Sequence, residues 1–74
     1  MKQQYTTKGF SDSMNMEGYC STFEGAKNTL KLLAEFKHYY KAYIMNTYTG
    51  EVYCGFDRTN DENTERITFW TIKR

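Results

Sequence analysis

Aliphatic side chains are scarce in this sequence. Leucine, isoleucine and valine together number seven, whereas phenylalanine, tyrosine and tryptophan number thirteen, in a chain of 74 residues. That scarcity excludes an ordinary aliphatic core. Rings must supply most of the burial, and each ring covers more area than an aliphatic side chain does. Length adds to the demand. A chain this short buries only about 60% of its unfolded surface and usually needs a supplement from a disulfide, a metal or a partner chain. It also limits the chain to one small domain spanning 1–74.

Other absences narrow the function. No apolar run approaches the ~20 residues that a membrane span needs, and the opening MKQQYTTKGF lacks the apolar stretch of a signal peptide. A cytoplasmic protein with no membrane partner is expected. Net charge is only +1, with the positives spread along the chain, so no global field steers it onto nucleic acid. Cys20 and Cys54 are not in a CxxC, and a reducing compartment makes them buried thiols; a disulfide or a reactive thiol is the rival reading. The single histidine, His38, falls at a predicted helix end, where a cation complements the dipole, rather than beside a nucleophile. His38, Cys20 and Cys54 are too few and too scattered for a metal centre. Asp57, Asp61, Glu62 and Glu65 lack the order of a calcium loop. The turns TGE and CGF match no phosphate cradle. No cofactor is expected, and nothing argues for an enzyme. Proline is absent, while residues with AT-rich codons (Lys, Asn, Tyr, Phe, Ile, Met) are abundant. This hints at a phage or mobile-element source.

What is present organises clearly. Ser21 followed by Glu24 reads as a capping box. Phe23, Ala26, Leu30, Leu33 and Phe36 then recur at helical spacing, which predicts a helix over 22–38 with Lys37 and His38 in its last turn. Gly25 costs that helix about 1 kcal/mol relative to alanine. Next, NTYTGE reads as a three-residue hairpin loop with Gly50 left-handed. If Thr47 opposes Glu51, then Asn46 faces Val52, Ile44 faces Cys54 and Ala42 faces Phe56. RTNDENTE reads as a polar loop, and RITFWTIKR as a third strand in which Arg66 opposes Asp57 and Phe69 opposes Cys54. The residues before the helix are less patterned. NMEGYC predicts a strand near 15–20, and 1–12 is an edge strand or an arm.

The expected fold is therefore α+β: one helix on an antiparallel sheet of three or four strands, in the order (β)-α-β-β-β. The helix stripe should pack on Ala42, Ile44, Val52, Cys54, Phe56, Ile67 and Phe69. The opposite face then holds Tyr39, Tyr43, Met45, Tyr53, Trp70 and Ile72, edged by Lys41, Arg66 and Arg74. Three explanations of that second apolar face stand open. The N-terminal segment, through Tyr5, Phe10, Met14, Met16 and Tyr19, could fold over it. A protein partner or a second copy could bury it, since Tyr, Trp, Met and Arg are enriched in such patches. Nucleobases could stack on it, although no RNP-like sequence is present and the charge is near neutral. The favoured expectation is a small non-catalytic accessory or inhibitor protein that binds another protein through this face. A single-stranded nucleic-acid module and a purely structural homo-oligomer are the alternatives.

Overall fold

The computed structural model describes residues 4–36, 39–61 and 64–72, and the side chains of all of these except 60, 61, 64 and 65. Six elements follow in order: β1 (Tyr5–Ser11), β2 (Asn15–Cys20), α1 (Phe23–Glu35), β3 (Tyr39–Asn46), β4 (Val52–Asp61) and β5 (Thr64–Thr71). The strands form one antiparallel sheet in the spatial order β2-β1-β3-β4-β5. The α+β class holds, and the order is β-β-α-β-β-β, with the segment before β2 entering the sheet as an inner strand. Among the described residues no helix is long and apolar enough to cross a membrane.

The helix starts one residue later than the capping box predicts. Thr22, extended at φ −124° and ψ 150°, is the N-cap, and its hydroxyl accepts from the Gly25 N–H at 3.1 Å. The helix ends at Glu35, where the Phe36 N–H is shared between the Leu32 and Leu33 carbonyls. Lys37 and His38, the expected C-terminal cations, lie outside the described residues. Among the described residues, a cation at this end comes from β4. The Arg58 guanidinium donates to the Phe36 carbonyl at 2.7 Å and to the Ala34 carbonyl. It also lies over the Phe56 ring, 6.0 Å from its centroid. Arg58 is only 8% exposed. One buried guanidinium therefore satisfies carbonyls that the helix leaves without internal partners and complements the negative end of its dipole.

Of the apolar stripe, Ala26, Leu30 and Leu33 are buried, while Phe23 and Phe36 stay partly open at the two ends. The stripe seals a core of Tyr39, Ala42, Ile44 and Phe56. The helix packs on β1, β2 and β3. It thus lies over one half of the sheet, and β4 and β5 extend past it.

The hairpin from β3 to β4 contains two compensating departures from the predicted register. Its loop has four residues, since the Asn46 N–H donates to the Glu51 carbonyl at 2.7 Å and the Gly50 N–H to the Asn46 carbonyl at 2.9 Å. The cause is Asn46, whose Oδ1 accepts from the N–H groups of Tyr48 and Thr49 and wraps the chain into a longer turn. Gly50 sits at φ 76°, in the left-handed region, as the turn requires. A β-bulge between Ile44 and Met45 then absorbs the extra residue: Met45 pairs with Val52, and Ile44 pairs with Cys54 as predicted. The bulged residue is Tyr53, which the bulge turns toward the helix side, while Val52 moves to the other face with Met45.

The pairing of β4 with β5 is displaced by two residues from prediction. Asp57 opposes Thr68, Phe56 opposes Phe69, and Arg66 opposes Thr59. The expected Asp57–Arg66 pair is absent because RTNDENTE is mostly strand, with β4 running to Asp61 and β5 beginning at Thr64. A shift of two leaves the described side chains of β5 on their predicted faces.

Candidate functional site

The face away from α1 carries the candidate site. Among the described residues every element other than α1 is a strand of the sheet. From residue 5 to residue 20 the N-terminal segment therefore lies within the sheet, in β1, β2 and the turn between them, and does not fold over this face. Phe10 and Tyr19 contribute to it as strand residues, by their register against Lys41 and Thr6. Tyr5 turns to the helix side and packs on Phe23 and Tyr53, with ring centroids 5.5 and 5.8 Å away. Met16 packs against the core, and Met14 is exposed.

Three rings cross the open face in a row. The Phe10 and Tyr43 centroids are 5.7 Å apart. Tyr43 pairs with Gly55, and Gly55 with Trp70. A Cβ at Gly55 would stand 2.7 Å from Trp70 Cζ2 and 2.8 Å from Tyr43 Cβ, and would strike the Ala42 carbonyl oxygen. The glycine is thus the gap that lets the indole lie down across β4 beside Tyr43. Tyr43, Met45 and Trp70 are half-buried, and Lys41 and Arg66 are exposed. The Trp70 indole N–H is buried, and among the described residues it meets no hydrogen-bond acceptor, which is uncommon for a polar group.

Charges on this face are mixed. Register places Lys8, Lys41 and Arg66 here, together with Glu17 and Asp57. Lys8 and Glu17 form an ion pair at 3.4 Å, and the Tyr19 hydroxyl donates to Glu17 at 2.8 Å. The Tyr19 hydrogen bond first, and then Lys8, hold the Glu17 carboxyl below the usual carboxylate range; the same bond pushes the Tyr19 hydroxyl up.

Five of the predicted site residues, Lys41, Tyr43, Met45, Arg66 and Trp70, share this face. Ile72 lies just past β5, exposed, with its N–H bonded to the Tyr53 carbonyl. Arg74 lies outside the described residues. Two predicted residues belong to the other side. Tyr39 is in the core beneath the helix, because a register shift between Phe10 and Ser11 breaks the alternation at the start of β3. Tyr53 is turned inward by its bulge; its ring packs on Phe23 at 5.8 Å, and its hydroxyl accepts from Asn46 Nδ2 at 3.1 Å. Phe10 was the residue missing from the predicted site. Its signal was the alternation of TTKGFS, which puts Lys8 and Phe10 on one face and Thr7 and Gly9 under the helix.

A second opening lies on the helix side, beyond the reach of α1. An open cleft of about 170 Å³ is lined by Lys27, Leu30, Lys31, Cys54, Phe69 and Thr71, among others. Phe69, expected in the core, is 56% exposed here. Burial pushes the Cys54 thiol up, and Lys27 opposes the shift in part. Neither face gathers a metal-ligand set: among the described residues no three of His, Cys, Asp and Glu come together. No family model matches this chain, and comparison with curated proteins and with solved structures finds no similar protein.

Proposed function

We propose that this chain is a small non-catalytic binding protein that docks a partner protein on the Phe10–Tyr43–Trp70 row. The observation that carries the reading is an aromatic row left half-open on a sheet face that no described element covers. Flat rings flanked by methionine and by exposed Lys41 and Arg66 have the composition of an interface centre with a polar rim. The mixed charge of the face favours protein over nucleic acid. Glu17 and Asp57 share this face with the cations, and a strand of phosphates needs a groove of one sign.

The test is binding by Tyr43→Ala. Tyr43 lies centrally in the row, and truncating a central anchor typically costs 2 kcal/mol or more, about thirtyfold in affinity. Immobilised wild-type protein should retain a partner from lysate of the source cell, and the folded Tyr43→Ala variant should not. Binding should weaken only mildly from 50 to 200 mM salt. Equal retention by Tyr43→Ala removes the row from the site, and a loss of a thousandfold or more over that salt range assigns the face to nucleic acid.

A further inference from the structure

We infer that the open edge of β5 is a homodimer interface, in which β5 of two copies pair antiparallel about a twofold axis at Thr68. This inference does not rest on the partner proposed for the aromatic row, although it draws on two residues of that face, Arg66 and Trp70. β5 is the outer strand of the sheet, on the side that the helix does not cover. Its backbone phase is fixed by the Ile72 N–H, which donates inward to the Tyr53 carbonyl opposite it. In an antiparallel ladder such inward pairs alternate with outward ones. The even-numbered residues of β5 therefore turn their backbone groups to β4, and Ile67, Phe69 and Thr71 turn theirs outward. An edge of this kind is a template for another strand.

The side chains select the second copy and its register. Centring the axis on Thr68 pairs Ile67 of one copy with Phe69 of the other through their outward backbone groups. This covers part of Phe69, which is 56% exposed where the helix does not reach. On the other face the same register sets exposed Arg66 opposite Trp70 in the second copy, twice by symmetry, so that its long side chain can reach over the indole, which leans toward β4. A guanidinium beside an indole is a favourable cation–π pair. Neighbouring registers lose this match. An axis at Ile67 sets Arg66 opposite Thr68, and an axis at Phe69 sets Trp70 opposite Thr68. The pairing is isologous and closes at two copies. It also supplies burial that a chain of this length lacks on its own. The opposite edge of the sheet is less suited: β2 is covered by the helix on one face and carries exposed Glu17 on the other.

The register makes a covalent test possible. In it the two copies of Thr68 face each other as a non-hydrogen-bonded pair, with Cα atoms about 4.5 Å apart, inside the range a disulfide spans. In either neighbouring register they are about 8 Å apart. Thr68→Cys should form a disulfide-linked dimer under mild oxidation, mapped by digestion to position 68, whereas wild type with its own two thiols should not. Wild-type protein should sediment as a monomer–dimer equilibrium at micromolar concentration, with a parallel change in emission from its single tryptophan. Arg66→Glu, a change at an exposed position, should weaken the dimer about tenfold or more while leaving the monomer folded. Monomer alone up to about millimolar concentration, a dimer that Thr68→Cys does not link, a dimer indifferent to Arg66→Glu, or open-ended growth from β5 pairing with β2 would each overturn the inference.

Discussion

Gly55 shows how one residue sets the form of the open face. Its missing side chain leaves room for the Trp70 indole and the Tyr43 stem, and its position against the Ala42 carbonyl leaves no room for a methyl group. Gly55→Ala should therefore destabilise the fold by about 1–3 kcal/mol through overpacking and should raise tryptophan exposure. A denaturation midpoint at or above that of wild type would mean the indole lies elsewhere. Glu17 is a second case, at the rim of the same face. Its carboxyl is held low by the Tyr19 hydroxyl and by Lys8. A folded value below the unfolded one means that ionisation favours the folded state. The contribution is present above the usual carboxylate range and fades as pH falls through the folded value. Carboxyl NMR titration should place the Glu17 midpoint below that of an unstructured glutamate, and Tyr19→Phe should move it up. An unmoved midpoint would show that the hydroxyl is not bonded to it in solution.

At the scale of elements, both ends of α1 repay attention. Its start was legible to within one residue, since Ser21 and Thr22 are both competent caps and sequence cannot choose between adjacent hydroxyls. The geometry chooses Thr22. Thr22→Ala should cost about 1 kcal/mol and Ser21→Ala little, a difference that urea unfolding of the two variants resolves. The end of the helix was not legible, because its partner Arg58 is distant in sequence and stood in what read as a polar loop. Alternation is a local signal, and it carries no mark that a charged residue in a strand will be buried against a helix terminus. Arg58→Ala should cost about 1.5–3 kcal/mol, since it removes a charged donor from the part-buried Ala34 and Phe36 carbonyls, of which Phe36 keeps the Tyr39 N–H. Arg58→Lys should not restore the loss, because one ammonium cannot reproduce a planar fork spanning two carbonyls. Hydrogen exchange should show the loss first in the last turn of α1. Full rescue by lysine would reduce the role of Arg58 to its charge. The strands divide in the same way. The pairing of Ile44 with Cys54 and of Ala42 with Phe56 could be read from alternation. The faces of Tyr39 and Tyr53 could not, because each sits at a bulge, and a bulge changes the parity that alternation relies on.

The whole molecule is a sheet wider than its helix. Five strands stand beneath a helix of 13 residues, and the helix occupies the half formed by β2, β1 and β3. This mismatch, rather than hydrophobic pattern, decides which apolar residues are core. Phe56 and Phe69 are direct cross-strand neighbours on one face, with ring centroids 5.8 Å apart. By sequence they are equivalent, yet Phe56 is fully buried and Phe69 is 56% exposed. Their truncations should therefore differ. Phe56→Ala removes a ring enclosed on all sides and should cost about 3–5 kcal/mol, a large share of the stability of a domain this small. Phe69→Ala removes a ring that water already reaches over much of its surface, so in the monomer it should cost about 1 kcal/mol or less. Denaturation of both variants at low micromolar concentration separates the two. If Phe69→Ala proves as damaging as Phe56→Ala at every concentration, α1 covers more of the sheet than its packing on β1, β2 and β3 shows. If the cost of Phe69→Ala instead grows with protein concentration, the ring is being buried by another copy, which is the behaviour that an open β5 edge requires.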